Sequence, residues 1–277
     1  MKKIILALIF FFLCKAACLS QEALLKIHFI DIGEGDSILI QHKDRNVLID
    51  TGNILSGYKL VDYLKNNKVS VIDHLIITHP DLDHLSGVFF VLPKLKVENL
   101  YDNGCNLGSL DNPMLNWYTL IFRRRENYRV LKEGDALKLD DCLLKVLWPQ
   151  DRISEGSFNH NSLVMRLDYK NFSCLFTADL DKAAEVELLN KKIDLKVDLL
   201  KVGHHGAADA TSEEFLNKVS PQVAIISVDK NNPRGYPAES VLGLFRQRGI
   251  KAFRTDMNGS ILITVDEEAG YRAVPER

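Results

Sequence analysis

The stretch THPDLDHLSG, residues 78–87, crowds His79, Asp81, Asp83 and His84 into six positions of an otherwise apolar neighbourhood. Imidazole and carboxylate are good donors to divalent ions, and four of them on one turn favour a metal site over a set of solvated surface polars. A helix cap is the plainer use of Asp83, since a carboxylate is favourable at a helix N-terminus. A cap needs one oxygen, however, and leaves the other three side chains unexplained. Two divalent ions about 3.5–4 Å apart can trap a bridging water, lower its pKa toward neutrality and clamp the attacking and leaving oxygens of a displacement. The chemistry on offer is hydrolysis.

Such donors must be aimed by regular elements. HLIITH (74–79) reads as a strand ending at Thr78, and Pro80 turns the chain into a helix beginning near Asp83. Other strand candidates are KIHFIDI, DSILIQ, NVLIDTG, CLLKVLWP, SLVMRLDY, FSCLFTADL, DLLKVGHH, VAIISVD and SILITVD. Helical spacing marks 58–67, 84–95, 181–190, 212–219 and 238–249. Strands come in pairs and triplets before each helix, so two sheets packed face to face with helices outside fit better than a doubly wound parallel sheet. Residues 101–142 read as a long loop region around one helix, NPMLNWYTLIFRRREN. No repeat or linker divides residues 21–277, which read as a single domain.

With 46% apolar and 26% charged residues, the 277-residue chain has the balance of a soluble globular protein, and disordered or fibrous classes are excluded. Residues 1–20, MKKIILALIFFFLCKAACLS, have the layout of a signal peptide. The apolar run Ile4 to Leu13 is short against the roughly twenty residues that span a bilayer. Cleaved export to the periplasm or beyond is expected, with a retained anchor or a lipid-modified Cys18 as alternatives. Cleavage removes Lys2, Lys3, Lys15 and no acid, taking the formal net charge from −2 to −5. That balance argues against strong nonspecific nucleic-acid binding and leaves no stable membrane span. Cys105, Cys142 and Cys174, without CxxC spacing, read as buried apolar residues rather than a disulfide framework.

THPDLDH resembles the HxHxDH signature of the metallo-β-lactamase superfamily, with Asp81 in place of the second histidine. The HxDxDH variant is typical of the branch that includes the nuclease-like domain of ComEC competence proteins. FIDIGEGDSILI, NVLIDTG, NHNSLVMRL, LFTADLD, DLLKVGHHG and RTDMNGSILI match that branch in order across roughly 25–265. The resemblance implies a four-layer αββα sandwich holding two divalent ions, Zn²⁺ or Mn²⁺. Carried over, His79 and Asp81 serve one ion, Asp83 and His84 the second, and Asp179 bridges them, Asp83 and Asp179 being the catalytic pair. His205 is the preferred later ligand, with His204 the competing choice. Asn161 stands where other branches carry a histidine, as a weak oxygen ligand or a shaping residue. Asp81 and Asn161 make the first position oxygen-rich, which favours Mn²⁺. The chain departs from the branch at Ala178, Ala207 and Tyr236, the last replacing a histidine that could touch substrate.

Lys230 and Arg234, in DKNNPRGYP, are cations placed to hold a phosphate, and Tyr236 is a third candidate substrate contact. Arg246 and Arg248 read as a solvated helix face. His28 and His74 read as packed strand residues, His42 as exposed, and Asp36 as support behind the site. The expectation is an exported hydrolase whose bridging hydroxide attacks a phosphodiester of DNA or another nucleotide-containing molecule. Its rivals are a metal-stabilised DNA-binding or uptake accessory with little turnover, and a hydrolase of amides, esters or lactams.

Overall fold

The structure, a computed structural model, describes residues 25–107, 112–150, 153, 157–266 and 270–277. The expected leader at 1–20 lies outside them. The chain runs through β1 (Leu25–Phe29), β2 (Ile38–His42), β3 (Arg45–Ile49), α1 (Gly57–Asn66), β4 (Val71–Ile77), α2 (Leu82–Leu85), α3 (Val88–Lys94), β5 (Lys96–Asp102), α4 (Pro113–Tyr118) and β6 (Tyr128–Val130). It continues through β7 (Ala136–Leu139), β8 (Cys142–Trp148), β9 (Val164–Tyr169), β10 (Phe172–Phe176), α5 (Lys182–Asn190), β11 (Leu199–Lys201) and α6 (Glu213–Val219). The last elements are β12 (Val223–Ile226), α7 (Glu239–Arg248), β13 (Lys251–Arg254), α8 (Thr255–Asn258), β14 (Ile261–Asp266) and β15 (Gly270–Pro275).

Two mixed sheets result, in the orders β15-β14-β1-β2-β3-β4-β5-β6 and β13-β12-β11-β10-β9-β8-β7. Side-chain alternation assigns the layers. Ile27, Phe29, Ile38 and Ile40 face inward against Val146, Met165, Leu167 and Phe176 of the other sheet. Leu39, Leu48 and Leu75 face outward beneath Leu60, Leu64 and Val88 of α1 and α3. Leu175, Leu200 and Ala224 do the same beneath Leu188, Phe215 and Phe245 of α5, α6 and α7. The molecule is a single-domain αββα sandwich, and its central strands read as apolar runs because both faces are covered.

Each sheet has a parallel half, β3 to β6 and β10 to β13, in which helical crossovers alternate with single strands. Pairs and triplets of strands therefore describe only the antiparallel halves. Residues 101–142 are not one long loop. The end of β5, with β6 and β7, lies there; β5 (KVENLYD) and β6 are too polar and mostly too exposed to announce themselves. The expected helix 84–95 breaks at Ser86–Gly87, where a Cβ on Gly87 would lie 2.0 Å from the Thr51 carbonyl oxygen. His42 is buried rather than exposed, because β2 alternation turns it inward with Ile38 and Ile40. There it contacts the Tyr169 ring at 4.9 Å, with Nε2 2.6 Å from Asp141. Cys105, Cys142 and Cys174 are buried and free. Arg246 and Arg248 pair with Glu239 and Glu213 on a solvated face. Among the described residues no helix is long and apolar enough to cross a membrane.

His28 is buried in β1, between Leu39 and Leu262 in register, with Nδ1 3.1 Å from the Tyr63 hydroxyl. Burial pushes its pKa from 6.5 down to about 4, against a hydrogen bond with Gln41. Above pH 6.5 the imidazole is neutral in both states. As pH falls from 6.5 toward 4, the unfolded chain takes up a proton that the folded chain refuses, so stability falls. Between pH 7.5 and 4.5 the wild type is expected to lose roughly 2.5 kcal/mol more than His28→Leu in urea unfolding. Equal losses would remove His28 as the cause.

Candidate metal centre

Asp50 follows β3 in a left-handed conformation, φ 57°, and is fully buried. Its Oδ1 accepts the Thr78 N–H at 2.7 Å, and its Oδ2 accepts the Thr78 hydroxyl at 2.7 Å and lies 2.8 Å from His84 Nδ1. Thr78 Oγ1, having given its proton to Asp50, is left to accept from His79 Nδ1 at 3.0 Å. The backbone N–H and hydroxyl of Thr51 donate to the His84 carbonyl. Both imidazoles thus use Nδ1 as a donor and present Nε2 as a ligand atom. The turn between them is a single helical turn, α2, starting one residue before the sequence-based boundary. Its N-cap is Asp81, whose side chain makes no capping bond, and Asp83 sits in the first turn. Gly35 packs on that turn so closely that a Cβ would fall 1.7 Å from the Asp83 carbonyl oxygen.

The second sheet supplies the rest from the ends of β10 and β11. Ala178 has φ 45°, which explains why glycine suits this position in the resembling branch. His204 and His205 are both left-handed, φ 46° and 53°, and their rings diverge. His205 is buried with Nδ1 donating to the Ser227 carbonyl at 2.9 Å, whereas His204 lies at the rim with Nδ1 3.0 Å from Asp209 Oδ1. Behind them, buried Lys201 Nζ pairs with buried Asp36 Oδ2 at 2.6 Å, and Asp36 Oδ1 stands 3.7 Å from His205 Nδ1.

The two halves meet at Asp179. Its Oδ2 lies 3.3 Å from His84 Nε2, 3.4 Å from His205 Nε2, and 3.9 Å from the Nε2 atoms of both His79 and His204. Asp83 Oδ2 is 3.6 Å from His205 Nε2, and Asp81 Oδ2 is 3.4 Å from His79 Nε2. The Nε2 atoms of His79, His84 and His205, with Asp179 Oδ1, are buried without hydrogen-bond partners. Orphaned atoms of this kind are costly, and their convergence fits a group that pairs with all of them. Among the described residues two metal-capable sets emerge here, His79/His84/Asp179 and Asp83/His84/His205, sharing His84. A third, Asp36/Asp50/His84, has its carboxylates engaged by Lys201 and Thr78 and serves as scaffold.

Charge couples these groups. Burial opposes a proton on His205, yet Asp179 and Asp83 hold its pKa up at about 10. Burial likewise opposes a charge on His84, and Asp179 and Asp50 raise its pKa well above the usual value. Burial works against ionised Asp83, but His205 and His84 hold it well below the usual carboxylate range, and the same imidazoles do so for Asp179. Without metal, the carboxylates of Asp83 and Asp179 favour protonated imidazoles at His84 and His205.

Other expected residues are placed differently. Asn161 is buried, its Nδ2 donating to the Ser157 carbonyl at 2.7 Å and its own carbonyl accepting from Asn103. Lys230 is exposed and lines a groove with Asp31, Lys59 and Asp229. Arg234 is half-exposed and pairs with Glu34 at 3.3 Å, while the Tyr236 ring meets that of His204 at 5.5 Å. Sequence reasoning missed Asp50, Thr78, Lys201, Asp209 and Ser227. The only signal available was the acid in NVLIDTG, and nothing local marks the rest.

The profile of the metallo-β-lactamase superfamily matches residues 30–229. "ComE operon protein 3" of Bacillus subtilis is 35% identical over 93% of this chain and 35% of its own length. "Competence protein ComA" of Neisseria gonorrhoeae is 28% identical over 83% of this chain and 31% of its own. The chain thus spans about a third of the length of these relatives. Among solved structures, the metallo-β-lactamase fold protein YhfI from Bacillus subtilis superposes with a TM-score of 0.53 at 12% identity, covering 83% of this chain and 95% of that one, a likeness of fold alone.

An ion entering the metal-free site must displace protons from His205 and His84. Zinc affinity is therefore expected to rise with pH from 6 toward 9, and calorimetry at pH 7 should show release of about one proton or more per ion. Binding heats independent of buffer ionisation enthalpy would contradict protonated imidazoles at His84 and His205.

Proposed function

This chain belongs to the metallo-β-lactamase superfamily, and from that premise we propose that it is a metal-dependent hydrolase of phosphodiesters, in DNA or another nucleotide-containing molecule. The observation that carries the reading is the convergence of three unpartnered imidazole nitrogens on Asp179, beside the more open Asp81 and Asp83. His79, Asp81, Asp83, His84, Asp179 and His205 fit two divalent ions, Zn²⁺ or Mn²⁺, with Asn161 and His204 outside the set. The phosphodiester choice is supported by the HxDxDH resemblance and by the relative named as a competence protein.

Bound there, two divalent ions supply Lewis acidity toward a phosphoryl oxygen and bring the pKa of water toward neutrality. The chain's own groups do the positioning. Asp83, whose Oδ2 lies 3.6 Å from His205 Nε2, accepts a hydrogen bond from the attacking water and orients it. Asp50 and the Ser227 carbonyl hold His84 and His205 in the tautomers that face inward. His204, fixed by Asp209, and Tyr236 line the rim where a leaving group departs. Lys230, exposed beside Lys59, and Arg234, paired with Glu34 at the surface, are the cations available to flanking phosphates, while the acidic mature charge keeps general DNA affinity low. The leader directs the protein out of the cytoplasm.

The test incubates the protein with bis(p-nitrophenyl) phosphate, single-stranded DNA, duplex DNA and a β-lactam, each with Mn²⁺ or Zn²⁺. Metal-dependent phosphodiester cleavage is expected, with Asp83→Asn and Asp179→Asn each lowering it beyond the roughly 10–100-fold cost of an outer-shell change. Lactam cleavage with intact phosphodiesters would replace this reading with the carbonyl hydrolase. Tight DNA binding without turnover would replace it with the accessory protein.

A further inference from the structure

Several of the most exposed apolar side chains gather on the helical layer over the first sheet. Tyr58 in α1 is 70% exposed and Trp117 in α4 is 64% exposed, with Leu120 one turn beyond Trp117 and Leu55 just ahead of α1. Each exposed ring is held by a half-buried phenylalanine in the first turn of α3. The Tyr58 and Phe90 centroids stand 4.8 Å apart, and those of Phe89 and Trp117 stand 6.3 Å apart. Glycine permits the first of these contacts, since a Cβ on Gly57 would fall 2.1 Å from a Phe90 ring carbon. The four rings form a shelf whose outer members, Tyr58 and Trp117, are open to solvent.

The shelf adjoins the site around Asp179. α3 follows the ligand turn directly after Ser86–Gly87, and Leu82, between Asp81 and Asp83 on that turn, is 38% exposed. Leu55 belongs to a single 3₁₀ turn, Ile54–Ser56, capped by Asn53, whose Oδ1 accepts the Leu55 and Ser56 N–H groups at 2.8 and 3.1 Å. Asn53 Nδ2 donates to the Glu34 carbonyl at 2.9 Å, in the loop whose Gly35 packs on the Asp83 turn. The segment after α4 is tied to the site from the other side: Arg123 Nη1 donates to the Cys105 carbonyl at 2.7 Å, and Asn103 Nδ2 to the Asn161 carbonyl at 2.8 Å. Exposed charges on and just beyond these helices are mixed, Lys94 and Arg124 with Asp62. A phosphodiester at Asp179 has a nucleoside on each side, and the neighbouring surface that a flanking base meets is aromatic rather than cationic. Exposed apolar patches of this kind mark binding surfaces.

We propose that this shelf binds the unpaired bases of a single-stranded nucleic acid, with Tyr58 and Trp117 as the stacking residues. The inference rests on the phosphodiesterase reading above and narrows its substrate to single strands. Every base has a π-face, so aromatic stacking accepts any sequence. Bases inside a duplex are stacked on one another and are not available to the rings. Stacking also suits a chain whose formal charge is −5 without residues 1–20, because it does not depend on neutralising phosphates. Binding then falls less steeply with salt than it does in a cationic groove.

The sequence contains two tryptophans, and the other, Trp148, is 3% exposed, so a base that stacks on the shelf is read directly by Trp117 fluorescence. The full chain is titrated in EDTA with an about 12-nucleotide thymidine oligomer, with its duplex, and with the same strand lacking bases. The single strand should quench the fluorescence, and the duplex and the abasic strand should bind at least about fivefold more weakly. Tyr58→Ala and Trp117→Ala should each weaken oligomer binding roughly 5- to 100-fold, measured by the anisotropy of a labelled strand, and Tyr58→Phe should restore it. Cleavage of bis(p-nitrophenyl) phosphate with Mn²⁺ should be unchanged in all three variants, and circular dichroism establishes that each is folded. An abasic strand bound as tightly as the oligomer, or unchanged affinity in both alanine variants, would overturn the proposal. A blue shift with phosphatidylglycerol vesicles that both alanine variants abolish, with oligomer binding intact, would overturn it too and make the shelf a membrane contact. Quenching by the single strand without cleavage of any phosphodiester would keep the shelf and remove the hydrolase reading.

Discussion

Asp50 has no access to solvent, and its two oxygens meet three donors: the Thr78 amide, the Thr78 hydroxyl and His84 Nδ1. The carboxylate links the end of β3 to the end of β4 and to the turn beyond it. Through the Thr78 hydroxyl it also reaches His79. Two imidazole rings on different sides of Pro80 therefore take their orientation from one side chain. Ligands from opposite sheets must agree to within a fraction of an ångström, so the first sheet's contribution has to be rigid before the second can match it.

Rigidity here is bought with strain. Asp50, Ala178, His204 and His205 all hold positive φ, a conformation that costs a residue with a side chain roughly 1–2 kcal/mol. They cluster at the edge where the parallel halves of both sheets open. The Asp36–Lys201 pair beneath them is buried as well. Such a pair adds little net stability but forbids the loss of either partner, since the survivor would be an isolated buried charge. The apolar layers on both faces of each sheet offset these local costs.

Local chemistry explains what could be read in advance. THPDLDH brings its donors together by adjacency, and FSCLFTADL and DLLKVGHH end buried strands that read as near-continuous apolar runs. The two-sheet architecture followed from those runs and from the family resemblance. β5 and β13 were illegible because their polar residues near a sheet edge break the apolar pattern. His42 looked exposed because one histidine beside Lys43 gives no hint of the inward alternation that buries it. The supporting atoms were hidden for another reason: Ser227 contributes a backbone carbonyl, which every residue possesses, and Lys201 finds Asp36 across 165 positions that only the folded sheets bring together.

The pairing of β1 with β14 has a consequence in the order of synthesis. β1 leaves the ribosome well before its neighbour on one side, Ile261–Asp266. His205 likewise waits for the carbonyl of Ser227. A nascent chain that has exposed His79 to His84 carries two loose imidazoles and no cavity. The cluster of ligand-capable atoms around Asp179 is thus complete only after Ser227 and β14 have been made and have docked.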